Sequence, residues 1–436
     1  MSQGFSTRAI HAGAEPDPVA GSRVQPIHQT TSYVFNDAEH AAKLFALQEF
    51  GNIYTRIGNP TVAALEARIA DLEGGTMAVG VGSGHAAQLL ACHVLMEPGT
   101  KIVAARQLYG GSINQLNHAF KKFGWEVVFF DTDDLDTLRD AMDDSVRVVF
   151  TESLANPGGV VTDMSAVAEI AHAHGVPYMV DNTMATPYLC RPLEHGADIV
   201  VHSLTKFIGG HGNSIGGIIV DGGKFDWAAQ GAKFPTMNQP LSFYNDMVLS
   251  GTFNALPMGP EGAPIDVAFS IAARAFSLRD LGPALSPFNA FMIMTGCETL
   301  PLRMDKHCAN ALKTAEFLTG HDKVKWVQYA GLPGDKYHAL QQKYCPQGGG
   351  AVFTFGVSGG NEAGIKLVSN TTLFSHLANI GDTRSLIIHP SSTTHSQLSD
   401  EQKVAAGAGP DVVRLSVGIE DVNDIIADLD QALAAN

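Results

Sequence analysis

Residues 77–95 read Met77-Ala78-Val79-Gly80-Val81-Gly82-Ser83-Gly84-His85-Ala86-Ala87-Gln88-Leu89-Leu90-Ala91-Cys92-His93-Val94-Leu95. A short apolar run ends in a glycine turn, and a segment with helical spacing follows, which predicts a buried strand, a tight turn and a buried helix. The stretch up to Met96 is uncharged for about the length a bilayer needs, roughly 20 residues. A membrane span is excluded all the same, because Gly80, Gly82, Ser83, Gly84, His85, Gln88 and His93 would strand polar groups in lipid. Free backbone N–H groups at the turn point at whatever sits there, so the turn is a candidate anion site. Its glycine spacing is not the dinucleotide-binding Gly-x-Gly-x-x-Gly, and a glycine turn also serves plain close packing.

Working outward, apolar runs rich in Val and Ile recur at Lys101–Ala104, Glu126–Phe130, Val146–Thr151, Pro177–Val180, Asp198–His202 and Ile215–Val220. Continuous apolar strands alternating with helical segments imply a mostly parallel sheet covered on both faces. Ligands of such sheets gather beyond the carboxyl ends of the strands, and the residues after these runs are unusually polar. The expected class is α/β, with an arm at 1–62 that lies across a neighbouring subunit. A large domain follows at 63–275, carrying a Gly- and Pro-rich excursion at 222–264. A smaller C-terminal α/β domain at 276–436 has strand-like runs at Lys325–Tyr329, Ala351–Gly356, Ser385–Ile388 and Val412–Val417.

The composition narrows the function. The 436 residues suit two or three domains at about 100–200 each. Charged residues make up 17%, below the ~25% usual for globular chains, which disfavours disorder and favours a buried subunit interface. Twenty-eight Lys and Arg against forty-four Asp and Glu give a net charge of −16, which repels a phosphate backbone and excludes nucleic acid as a partner. Five scattered cysteines without a Cys-x-x-Cys pair, and a start lacking a signal-peptide pattern, point to the cytoplasm. The seventeen histidines show no metal-ligand spacing, so no metal is expected.

Four features each follow a strand in chain order: the candidate anion turn at Gly82–His85, Tyr109, Asp181 and Lys206. Ser203, Thr205 and Lys206 come directly after Asp198–His202, where two hydroxyls can take phosphate oxygens and a desolvated amine can form a Schiff base with an aldehyde cofactor. A solvated loop lysine is the plain alternative. Asp181 and Thr183 follow another strand. A carboxylate there could hold the nitrogen of a pyridine ring protonated, as pyridoxal phosphate requires, or could cap a helix. Tyr109 offers an aromatic face for stacking, or is a core tyrosine. Asn156 could donate to a ring hydroxyl, or shape the turn before Pro157. Each feature has an ordinary reading; four in one order do not.

At this point the chain resembles the Cys/Met-metabolism enzymes dependent on pyridoxal phosphate. Asp198–Lys206 with the following Gly209-Gly210-His211-Gly212 looks like their signature around the cofactor lysine. The resemblance spans about residues 5–435 and implies the aspartate-aminotransferase-like fold. Within the family it is closest to the O-acetylhomoserine sulfhydrylases, through Phe50–Arg56, the long excursion and Ile388–Gln397. It implies that Lys206 holds the aldehyde, Asp181 pairs with the pyridinium and Tyr109 stacks. Ser83, Gly84, His85, Ser203 and Thr205 hold the phosphate, with Tyr54 and Arg56 reaching it from the neighbouring subunit. Arg414, together with Asn379 and Tyr54, binds substrate. The planar fork of Arg414 suits a carboxylate, and an arginine within an apolar strand otherwise needs a buried partner. Lys206 and Tyr109 are the expected proton-transfer groups.

The implied reaction is γ-replacement, with O-acetylhomoserine and sulfide or methanethiol giving homocysteine or methionine and acetate in a homotetramer of catalytic dimers. Cystathionine γ-synthase, O-succinylhomoserine sulfhydrylase and the γ-lyases are the alternatives within the family. Gly111 stands where sulfur-eliminating relatives carry cysteine, and Asn379 where related lyases often carry serine. A nicotinamide-dependent dehydrogenase fails on the glycine spacing and leaves Lys206 without a task. A non-enzymatic binding protein would be colourless when purified.

Overall fold

The computed structural model describes residues 3–257, 262–394, 396, 401, 403 and 407–435. Part of the excursion, and His395 and Gln397 of the Ile388–Gln397 stretch, therefore lie outside the described residues.

Seven strands form the larger sheet: β1 (Met77–Val81), β2 (Lys101–Ala105), β3 (Glu126–Phe130), β4 (Val146–Glu152), β5 (Tyr178–Asp181), β6 (Ile199–Ser203) and β7 (Gly217–Asp221). Their spatial order is β1-β7-β6-β5-β4-β2-β3. The pairs β2–β3, β2–β4, β4–β5 and β5–β6 are parallel, while β7 runs antiparallel to both β1 and β6. The strands of the middle are buried on both faces, which is why their sequences lack a polar alternation. Five strands, β2, β4, β5, β6 and β7, end one residue further along than the sequence pattern suggests. Asp181 pairs with Glu152 and Ser203 with Gly217, so these polar groups belong to the ladder itself.

A second sheet holds β8 (Val324–Gln328), β9 (Val352–Val357), β10 (Ser375–His376), β11 (Leu386–Ile388) and β12 (Val412–Ser416) in the order β10-β11-β12-β9-β8. Only its two-residue strand β10 has no counterpart in the sequence reading, since two residues carry no periodicity.

The segment before residue 60 is more structured than its pattern suggests. Helix α1 (Phe5–His11) lies on this chain's own α3 (Pro60–Glu73), with Arg8 Nε donating to Asp71 Oδ2 at 2.7 Å, and Phe5 meets Tyr188 edge-on at 5.3 Å. Helix α2 (Ala38–Phe45) starts where the Asp37 side chain accepts the His40 N–H. Both helices are too short to repeat an apolar stripe, so periodicity missed them. Helix α3 is delimited as its sequence dictates. Asn59 accepts the Thr61 N–H, Pro60 occupies the first turn, and Gly74 takes φ 77° at the end.

Helix α4 (Gly84–Leu95) follows β1 through the Gly82-Ser83 turn and packs on β6 and β7. Ser83 Oγ accepts the Ala86 N–H at 3.2 Å. A Cβ on Gly84 would come within 2.7 Å of Ser203 Cβ, and one on Gly217 within 2.0 Å of Ser83 O. The glycines thus bring the turn hard against the end of β6, which carries Ser203, and the start of β7.

Candidate active site

A cavity of about 270 Å³ opens at the carboxyl ends of β2, β4, β5 and β6. Ser83, Gly84, His85, Tyr109, Asn156, Asp181, Thr183, Ser203, Thr205, Lys206, Asn379 and Arg414 all line it. Residues read from seven separate stretches of sequence therefore meet in one space. Tyr54 and Arg56 lie outside this cavity. Arg56 donates to Arg279 O, and its guanidinium sits 5.4 Å from the Tyr54 ring centre.

Asp181 stands at the end of β5 with both oxygens held. Thr183 N–H donates to Oδ1 at 2.9 Å and Gln88 Nε2 to Oδ2 at 3.1 Å. The Thr183 hydroxyl in turn accepts the Ser203 N–H at 2.8 Å, tying the ends of β5 and β6 together. Tyr109 is half exposed at the cavity mouth, with its ring 6.1 Å from that of His85 and 27° off parallel. Thr205 Oγ1 is engaged with the backbone of Gly216, to which it donates at 3.2 Å and from which it accepts at 3.1 Å. Gly84 and His85 N–H, at the start of α4, have no protein acceptor among the described residues.

Two cations face the cavity without an anion among the described residues. Lys206 Nζ donates to the neutral Asn379 Oδ1. Burial, then the nearby Arg414, lowers its pKa to about 8. Arg414 is buried, donating to Asn156 Oδ1 at 3.2 Å and Asn379 O at 3.1 Å, and burial lowers it to about 10. Among the described residues neither joins an ion pair. A buried cation costs free energy unless an anion meets it, so both groups are arranged for anionic or carbonyl ligands.

Gln88, Ser112 and Glu152 also line the cavity and were missed by sequence reasoning. Gln88 Nε2 bridges Asp181 and Ser112 Oγ, the latter at 3.0 Å. Glu152 is buried, and burial and the Asp181 charge push its carboxyl well above the usual range although it accepts two backbone N–H groups. A polar residue inside the apolar helix after Ser83, and a carboxylate closing an apolar strand, were the available signals.

An aldehyde-bearing pyridine phosphate fits this arrangement: a weakly basic amine, a firmly held carboxylate, an aromatic face and unfilled helix N–H groups share one space of suitable size. Fold and cavity together define the class of pyridoxal-phosphate-dependent enzymes. Comparison narrows it. A profile of the Cys/Met metabolism PLP-dependent enzymes matches residues 6–434, and the chain belongs to that family. It is 51% identical to the O-acetyl-L-homoserine sulfhydrylase of Leptospira meyeri, covering 98% of this chain and 96% of the relative. It is 48% identical to O-acetyl-L-homoserine sulfhydrylase 1 of Thermus thermophilus, covering 99% and 100%. A Campylobacter jejuni crystal structure, 38% identical, superposes with a TM-score of 0.93 over 99% of this chain and 100% of that one. It carries a pyridoxyl-lysine phosphate at its position 205. The aspartate-aminotransferase-like fold and the pyridoxal phosphate cofactor expected from the sequence are thereby borne out.

Proposed function

We propose that this protein replaces the acetate of O-acetylhomoserine with sulfide or methanethiol, forming homocysteine or methionine. The observation that carries the proposal is the pair of cations, half-buried Lys206 and buried Arg414, that share one cavity without an anion among the described residues, in a chain whose relatives of like length are named for this reaction.

Bound pyridoxal phosphate would supply an electron sink for a carbanion at the substrate α-carbon. Asp181 would face its ring nitrogen, Tyr109 its ring and Asn156 its ring hydroxyl. The phosphate would lie against the α4 N-terminus, where Ser83, Gly84, His85, Ser203 and Thr205 gather. Arg414 grips the substrate carboxylate through its planar fork, aided by Asn379, and so places the α-carbon beside Lys206. The Lys206 amine, which burial makes less basic, takes the proton from the α-carbon. Tyr109 serves the proton transfers that follow, one of them at the β-carbon. Acetate leaves from the γ-carbon, and the thiol sulfur bonds there in its place.

The same reading keeps the division 1–62, 63–275 and 276–436 as arm, cofactor domain and C-terminal domain. Tyr54 and Arg56 complete a neighbour's phosphate site in a homotetramer of catalytic dimers. Exposed Val34, Phe35, Phe45 and Phe50 on the arm support a protein contact there. Five free, buried cysteines support a reducing, cytoplasmic setting. Steady-state assays of acetyl and succinyl esters, each with sulfide, methanethiol or cysteine, test the proposal. Preferred use of the acetyl ester with sulfide or methanethiol is expected. A preference for the succinyl ester, or for cysteine as acceptor, would replace it with the neighbouring activities.

A further inference from the structure

Glu152 closes β4 inside the cavity, level with Asp181 in the parallel β4–β5 pairing, yet the reaction above gives it no task. Its carboxylate is buried and both oxygens are used. Oε1 accepts the backbone N–H of Tyr109 at 2.6 Å and Oε2 that of Asn156 at 3.0 Å. Among the described residues neither N–H has another acceptor. Asn156 continues the chain, since its Oδ1 accepts from Arg414 Nη1 at 3.2 Å. One side chain thus stands between the loop that presents the Tyr109 ring and the residue on which Arg414 rests. Burying a carboxyl beside Asp181 is costly, and a loop could be closed more cheaply by a hydroxyl or by water.

We propose that Glu152 is a positioning residue that locks the Tyr109 loop and the Asn156–Arg414 contact into one unit, so that ring stacking and carboxylate grip are set together. The inference rests on the roles given above to Tyr109 and Arg414. Its physical content is reach as well as charge. A carboxylate two methylenes out spans both N–H groups, whereas glutamine offers one acceptor for two donors and aspartate keeps the charge but shortens the arm.

The test measures, for Glu152→Gln and Glu152→Asp, the cofactor affinity of the apoprotein by fluorescence titration and the KM and kcat of the holoenzyme for O-acetylhomoserine. Both variants are expected to weaken cofactor binding and raise KM by about 10-fold each, with a smaller loss in kcat, as fits one lost hydrogen bond to a charged group. An aspartate variant that behaves as wild type while the glutamine variant fails would show that a negative charge suffices, and would overturn the bridge. A lowered unfolding temperature with unchanged cofactor affinity and KM would mark a merely structural residue and also overturn it.

Hydrogen exchange of the unaltered holoprotein needs no variant to fold. The Tyr109 and Asn156 amides should exchange slowly and at matched rates, and rates about 100-fold apart would refute a shared acceptor. Arg414→Lys, measured separately, isolates the underlying reading. If it leaves KM unchanged, the substrate grip is wrong whatever Glu152 does.

Discussion

The ends of β5 and β6 present two faces, and the contrast between them is instructive. Asp181 and Ser203 look into the cavity, while the residue just after β5, Asn182, and the preceding one on β6, His202, join Glu73 of α3 behind the sheet. The rear cluster is completely buried, with His202 Nε2 2.6 Å and Asn182 Nδ2 2.8 Å from Glu73 Oε1. Asn182 Oδ1 accepts from Ser153 Oγ at 2.7 Å. Among the described residues, only Glu73 Oε2 and His202 Nδ1 of this cluster have no partner. The front face is the reverse: its carboxylates are held by N–H donors, but its two cations, Lys206 and Arg414, meet no anion among the described residues. Strand pleating sends Ser203 and His202 of β6 to opposite faces, and Asp181 at the end of β5 and Asn182 just past it divide in the same way. The acidic cluster at the back matches groups within the protein; the cationic one in front awaits groups from outside.

Four experiments can break the contrast. Lys206→Ala should have the largest effect, a loss of turnover on the order of 10⁴-fold, read by kcat on protein that keeps its unfolding temperature. A folded variant with full rate would remove the front face from the chemistry. Arg414→Lys should raise the KM of the amino-acid substrate by about 100-fold, because a point charge cannot reproduce the fork, with kcat much less affected.

Glu73→Ala addresses the rear. It should cost roughly 3 kcal/mol in chemical denaturation, typical of breaking a buried pair, while the KM of the folded enzyme stays near wild type. If KM rises as it does for Arg414→Lys, the two faces are not separate. The smallest effect concerns pH. In the apoprotein, Lys206 should react with an amine-directed acylating reagent half-maximally near pH 8, because burial favours the neutral amine, against about 10.4 for a lysine side chain free in water. Peptide mapping across a pH series reads the midpoint; one near the value in water would mean the amine is well solvated.

Much of the site was legible because the sheet is mostly parallel. Parallel strands deliver their carboxyl ends to one edge, so Tyr109, Asn156, Asp181 and Lys206, each just beyond an apolar run, had to converge. Arg414 was legible for another reason, as a charge inside an apolar strand. Gln88 was hidden, since a polar residue on a helix is ordinary until its partner is known, and that partner is 93 residues away. Glu152 was hidden because the strand runs on through it and its partners are backbone groups, which no residue type announces.

The apolar runs and their spacing were enough by themselves to establish the α/β class and the edge where chemistry collects, because burial on both faces of a strand leaves a mark in composition. The sequence also marked the residues with reactive or charged ends. Only the tertiary structure decided which charges are answered within the chain and which are left open. That depends on distances of about 3 Å between groups far apart in sequence, where a hydrogen bond either forms or does not.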